Sequence, residues 1–100
     1  MDELERLRDR IDSLDDEIAA RLAQRFEAVR RIGELKRDER IPVMQIDRIR
    51  HVHQKYRQRG DEQGMPAAFT QAFVDLLLTT TCEMEEDIIG RPGEIELDRQ

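Results

Sequence analysis

Between Asp2 and about Lys36, the apolar residues Leu4, Leu7, Ile11, Leu14, Ile18, Leu22, Val29 and Ile32 recur at steps built from threes and fours, which sets them along one face of an α-helix. No Pro interrupts the run, and its one weak residue, Gly33, costs roughly 1 kcal/mol of helix propensity relative to Ala. The spacing therefore predicts a single continuous first helix, and about 35 residues at 1.5 Å each make a rod of about 50 Å. A chain of 100 residues, which on its own buries only a thin core, cannot enclose a rod of that length. The apolar stripe needs cover from outside its own chain, so the sequence predicts long helices pairing into an intertwined homodimer.

The polar run Arg37-Asp38-Glu39-Arg40 leads to Pro42, which disfavours helix at Ile41 and closes the first helix. A second helix is expected from about Met44 to Arg59, with Ile46, Ile49, Val52, His53 and Tyr56 on one side, Gly60 as its stop, and Gly64 and Pro66 marking the next turn. A third, about Ala67 to Ile89, carries Phe69, Phe73, Val74, Leu76, Leu77, Leu78, Met84, Ile88 and Ile89. It is apolar nearly all round in its middle, the pattern of a buried core helix. Gly90, Pro92 and Gly93 end it. The expected organisation is all-α, a three-helix domain over residues 1–90 followed by a polar tail over 91–100. Aromatic residues at 4% and charged residues at 40% agree, since such a composition suits long helices better than sheets.

The formal net charge of −6 and the interleaving of Arg with Asp and Glu argue against a nucleic-acid surface, which needs a concentrated positive stripe. A basic pocket within an acidic protein is still allowed. Cys82 is the one cysteine, so no internal disulfide is possible and it is expected to act as a small hydrophobe. No leader and no apolar run of membrane-spanning length is apparent, and the cytoplasm is the expected compartment.

Cations beside an apolar stripe are informative, because an unpaired buried charge is costly. Arg25 and Lys36 lie eleven residues apart, almost three whole turns, on one face and about 16 Å apart along the axis. Two long side chains and a small anion would fill that gap. On spacing alone they are equally readable as snorkelling or salt-bridged residues of a bundle. Arg8 lies about 25 Å from Arg25 and roughly 100° round the helix, out of reach of the same pocket within one chain. It either pairs locally with Glu5 or Asp12, or enters a partner's pocket across antiparallel first helices. Gln45 and Arg48 sit a turn apart at the start of the second helix, and Thr81 and Glu85 share a face of the third. Taken singly, these are ordinary residues of helix starts and helix surfaces. The set holds no nucleophile–base pair and no cluster of metal ligands. Neither a metal nor a cofactor is expected, and the natural ligand is a small dicarboxylate.

The motifs Leu7-Arg8-x-x-Ile11-x-x-Leu14-Asp15, Leu22-x-x-Arg25, Ile32-Gly33-x-x-Lys36 and Pro42-Val43-Met44-Gln45-Ile46-Asp47-Arg48 resemble the all-helical class of chorismate mutases. These are intertwined dimers in which three helices per chain build two equivalent sites. The resemblance covers about Leu4 to Ile89. It implies that Arg8, crossing to the partner's site, acts with Arg25 and Arg48 to position the substrate's carboxylates and ring. It further implies that Thr81 helps to hold the ring carboxylate, and that Lys36 and Glu85 meet the ether oxygen of the breaking bond, with Lys36, Glu85 and Arg25 as the catalytic set. Glu85 can donate a hydrogen bond to that oxygen only when protonated. The implied reaction is a [3,3] pericyclic rearrangement, which proceeds without proton transfer, covalent intermediate or cofactor.

Typical members place two acidic side chains near the C4 hydroxyl, where this chain has Gln45 and Ile49. That departure, with the Pro-x-Met-Gln-x-x-Arg string followed by an apolar residue, resembles the related mutases of 4-amino-4-deoxychorismate. Two alternatives stand beside the mutase: pyruvate elimination from isochorismate on the same fold, and a non-catalytic helical dimerisation or regulatory module. His51 and His53 diverge on their helix and are expected to be surface or packing residues.

Overall fold

The computed structural model describes residues 2–90, and the expected tail over 91–100 lies outside the described residues. Three helices make up the fold, α1 (Glu3–Glu39), α2 (Ile46–Glu62) and α3 (Ala67–Ile89), with no strand among the described residues. The start of α1 is set by Asp2, whose extended backbone lets its carboxylate accept from the Glu5 amide at 2.8 Å, an N-cap that satisfies one of the orphan donors of the first turn. The helix runs three residues beyond Lys36. It ends where Arg40 turns left-handed at φ 56°, and the amides of both Arg40 and Ile41 bond the Lys36 carbonyl, just ahead of Pro42.

The expected start of α2 at Met44 moves to Ile46, because Gln45 has extended backbone and serves as the N-cap. Gly60 is not its stop. The helix continues to Glu62, and the reversal falls at Gly64, where φ is +70° and a residue without Cβ avoids the left-handed penalty. Gly60 has a different duty. It is buried where α2 crosses α3, and a Cβ there would lie 2.8 Å from Thr70 Oγ1 and 3.1 Å from its Cγ2. Gly33 plays the corresponding part on α1, facing Ile88 Cδ1 at 2.9 Å and the Glu85 Cα at 3.5 Å. The residue that looked weakest in the α1 stripe is thus a point of close approach to α3.

α1 and α2 both pack on α3. The core consists of Val29, Val52, Val74, Leu77 and Ile88 with the buried polar pair Thr70 and Glu85. Phe73 bridges Tyr56 and Phe69 with ring centroids 5.7 and 5.8 Å apart. Only one flank of α3 is covered within the single chain. Leu76 is 67% exposed and Phe69 56%, so the expectation of a helix buried all round is not met by one subunit. The same holds for α1, whose residues up to Arg21 are all exposed, including Leu4, Leu7, Ile11, Leu14 and Ile18. The molecule is consequently elongated, 67 × 29 × 16 Å.

Replacing Gly60 by Ala gains up to roughly 1 kcal/mol of helix propensity but drives a methyl into a buried, β-branched neighbour that cannot rotate away. We expect a net loss of about 1–3 kcal/mol, read from urea denaturation at fixed protein concentration. Unchanged or raised stability would refute the close-crossing role.

Candidate active site

The Lys36 ammonium is the centre of the site. Its Nζ donates to Glu85 Oε1 at 2.7 Å and to the Val43 carbonyl at 2.8 Å. The side chains of this pair are only 12% and 5% exposed. An ammonium has three N–H donors, so one remains for a ligand. Each partner is placed by local structure: Lys36 by the C-terminal turn of α1, Val43 by the Pro42 loop, and Glu85 by the α3 face that lies against Gly33. About one turn earlier on α3 in the same groove, Thr81 Oγ1 accepts from Arg25 Nη1 at 3.0 Å.

These groups open onto a cavity of about 250 Å³ lined by Arg25, Lys36, Gln45, Arg48, Ile49, Thr81 and Glu85. Seven of the eight residues picked out in the sequence therefore converge. Gln45 caps α2 without using its side chain, which leaves the amide available to the cavity. The eighth, Arg8, is exposed on the free half of α1 and does not line the cavity, as its axial distance from Arg25 requires. Val29, Ile32, Val43, Val52, Leu78 and Cys82 complete the walls. The apolar members were legible only as core positions, and the Val43 carbonyl has no signature in side-chain pattern. Burial, with Glu85 and Glu86 next in effect, raises the Cys82 thiol above its ordinary value despite an opposing Lys36. It is thus a neutral wall atom rather than a nucleophile.

The cavity carries three cations against one carboxylate, a formal surplus of two that matches a doubly negative ligand. Its volume falls just below the range of roughly 300–1,000 Å³ typical of drug-sized ligands, so it suits a compact one. A larger cavity of about 400 Å³ between α2 and α3, bordered by His53, Asp61 and Gln71, shows no comparable convergence of like charge. Among the described residues no group of His, Cys, Asp and Glu could hold a metal ion. Nor is any helix long and apolar enough to cross a membrane.

The three helices thus bring Arg25 and Lys36 from α1, Arg48 from α2, and Thr81 and Glu85 from α3 to the walls of one small cavity. Residues 7–86 match the family model of chorismate mutase type II. The chain belongs to that family, and it is accordingly an isomerase of the mutase type. Two relatives are similar over most of their length. One is a 4-amino-4-deoxychorismate mutase of Streptomyces pristinaespiralis, 34% identical over 92 residues that span 92% of this chain and 71% of the relative. The other is a 4-amino-4-deoxychorismate mutase of Streptomyces venezuelae, 26% identical over 98 residues, covering 98% and 95%.

The buried ion pair makes a separable prediction about stability. Lys36→Met leaves Glu85 buried without its counter-charge and should cost about 3–5 kcal/mol, whereas Lys36→Met combined with Glu85→Leu should recover much of that loss. Denaturant midpoints of wild type, single and double variants measure it. A double variant as unstable as the sum of its parts would contradict the pairing.

Proposed function

We propose that this chain catalyses the [3,3] rearrangement of 4-amino-4-deoxychorismate to 4-amino-4-deoxyprephenate, in a homodimer whose sites each draw on both subunits. The observation that carries the reading is the buried Lys36–Glu85 pair with one ammonium N–H unspent, set beside Arg25–Thr81 in a cavity with a surplus of two positive charges. In the reaction a C–O bond breaks while a C–C bond forms in the same cyclic movement of electrons. No proton changes hands, so the side chains have two tasks, holding a folded conformer and stabilising charge on the departing ether oxygen.

The first task falls to Arg25, Arg48 and the partner subunit's Arg8, which clamp the two carboxylates so that the enolpyruvyl arm lies over the ring. Thr81 fixes the Arg25 guanidinium. Such orientation supplies at most roughly 7–11 kcal/mol. The second falls to the free N–H of Lys36, aimed by Glu85 and Val43, and one pre-placed donor of this kind contributes about 3–4 kcal/mol. Gln45 meets the C4 amine with its amide oxygen, and Ile49 gives that end of the cavity an uncharged wall. The names of the two relatives favour the amino substrate over chorismate.

Separate incubations with chorismate, isochorismate and 4-amino-4-deoxychorismate, with products identified by mass, test the reaction. The expected outcome is fastest conversion of the amino substrate to a product of unchanged mass. Preferred turnover of chorismate would overturn the substrate assignment, and pyruvate release from isochorismate would overturn the reaction itself.

The dimer rests on the exposed α1 stripe, the exposed Leu76 and Phe69, and an Arg8 too distant for its own pocket. Arg8→Ala and Arg25→Ala should each lose roughly 100-fold in kcat/KM. Unfolded together in equal amounts and refolded, they should form hybrids with one intact pocket each, returning about a quarter of wild-type activity for random pairing of subunits. Hybrids that form but remain inactive would rule out a shared site.

A further inference from the structure

A second cavity, of about 270 Å³, adjoins the first and shares Arg25, Arg48 and Val52 with it, its other walls being Lys55, Tyr56 and Arg59. No carboxylate lines it. Of the five Lys and Arg residues on α2, those at 48, 55 and 59 stand at offsets of seven and eleven that keep them on one helix face over about 16 Å. Among the described residues neither Arg48 nor Lys55 has a carboxylate within ion-pair distance. Arg59 pairs with Glu62 at 3.0 Å through side chains 59% and 50% exposed, a pairing that water and salt largely screen.

This row of like charge belongs to a chain of net charge −6. The molecule as a whole repels a dianion, and a cationic lane into the site reverses that field where it matters. We propose that Lys55 and Arg59, with the Tyr56 hydroxyl, form a capture site for the dicarboxylate substrate, which engages there first and passes along α2 through Arg48 into the reaction cavity. The proposal rests on the dicarboxylate reading of the reaction cavity. Lys55 and Arg59 are positioning residues that never touch the reacting atoms. Their attraction acts alike on bound substrate and transition state, so it lowers KM without raising kcat.

The test compares wild type, the double variant Lys55→Ala with Arg59→Ala, and the conservative double Lys55→Arg with Arg59→Lys. Turnover of the substrate that wild type prefers is followed at ionic strengths of about 0.02 M and about 0.3 M, between which screening shortens from longer than the lane to shorter than it. At low salt the alanine variant should show KM raised about five- to tenfold with kcat within about twofold of wild type. At high salt the gap in KM should close to about twofold, and the conservative variant should follow wild type throughout. Equal KM at low salt, or a deficit indifferent to salt, would overturn the capture site. So would a smaller mass of the alanine variant by sedimentation at the assay concentration, which would assign these cations to subunit pairing. A second arm needs no turnover. Fumarate titrated at low salt should move the NMR signals of Lys55 Nζ and Arg59 Nε in wild type, and signals that stay still would refute the proposal. Fumarate shifts in a protein that converts none of the three substrates would refute the proposed reaction and leave the capture site in place.

Discussion

One ammonium group ties the last turn of α1 to the loop that follows it and to α3, 49 residues further along the chain. The Lys36 side chain reaches the Val43 carbonyl in the loop and the Glu85 carboxylate on α3, while the Lys36 backbone carbonyl takes both amides that close α1. A cation this deeply buried, 12% exposed, is tolerable only because both partners are present, since removing either would leave a desolvated charge or a bare carbonyl. The geometry of the cavity follows from satisfying that one group. Glu85 sits in reach because Gly33 lets α3 approach α1 closely, and the Pro42 loop folds back because its carbonyl is needed as an acceptor. Stability and site geometry are therefore the same requirement, and the spare N–H of Lys36 is left over from an arrangement that the fold itself demands.

The rest of α1 obeys a different constraint. Up to Arg21 every described residue is exposed, yet the segment carries an apolar residue at every turn of the stripe. Isolated helical segments hold together poorly in water without an apolar face to bury. The half that packs and the half that does not differ in what they contribute to the site: the packed half presents Arg25 and Lys36 to the cavity, and the projecting half carries Arg8 away from it. Leu4, Leu7, Ile11, Ile18, Phe69 and Leu76 are 53–67% exposed, so the uncovered apolar surface lies on the projecting half of α1 and the outer flank of α3. The proposed dimer would cover these surfaces and bring Arg8 to a partner's cavity in one step.

What could be read from the residues was whatever repeats with the helical period. The three helices follow from apolar offsets of three, four and seven, and their ends from Pro and Gly, while offsets of four and eleven put Thr81 with Glu85 and Arg25 with Lys36 on shared faces. What could not be read depended on close approach or on backbone. Gly60 has the same residue type as a helix stop, and only the position of Thr70 on another helix reveals it as a crossing point. The displaced start of α2 depends on Gln45 adopting extended backbone with its amide left unbonded, where propensity would favour Ser, Asp or Asn at the cap. The Val43 carbonyl is common to all residues and so invisible in a pattern of side chains. The resemblance to chorismate mutases, by contrast, selected function over packing for Arg25, Lys36 and Arg48, a choice that spacing alone left open.

The Gln45 cap shows how the site and the fold compete for the same side chain. A capping carboxylate at this position would stabilise α2 by about 1 kcal/mol and would also add a second carboxylate to a cavity lined by Arg25, Lys36, Arg48 and Glu85. An amide forgoes the capping energy and keeps that wall neutral, and Ile49, one turn on, keeps it neutral again. Between them the two residues leave Glu85 as the one carboxylate facing the cavity, and that carboxylate is already committed to Lys36 at 2.7 Å. The other charged side chains lining the cavity, Arg25, Lys36 and Arg48, are cations, and of these Arg25 is held by Thr81 and Lys36 by Glu85 and the Val43 carbonyl. At this end the cavity wall offers one amide and one apolar side chain, so what it can discriminate is shape and a single hydrogen bond, not charge.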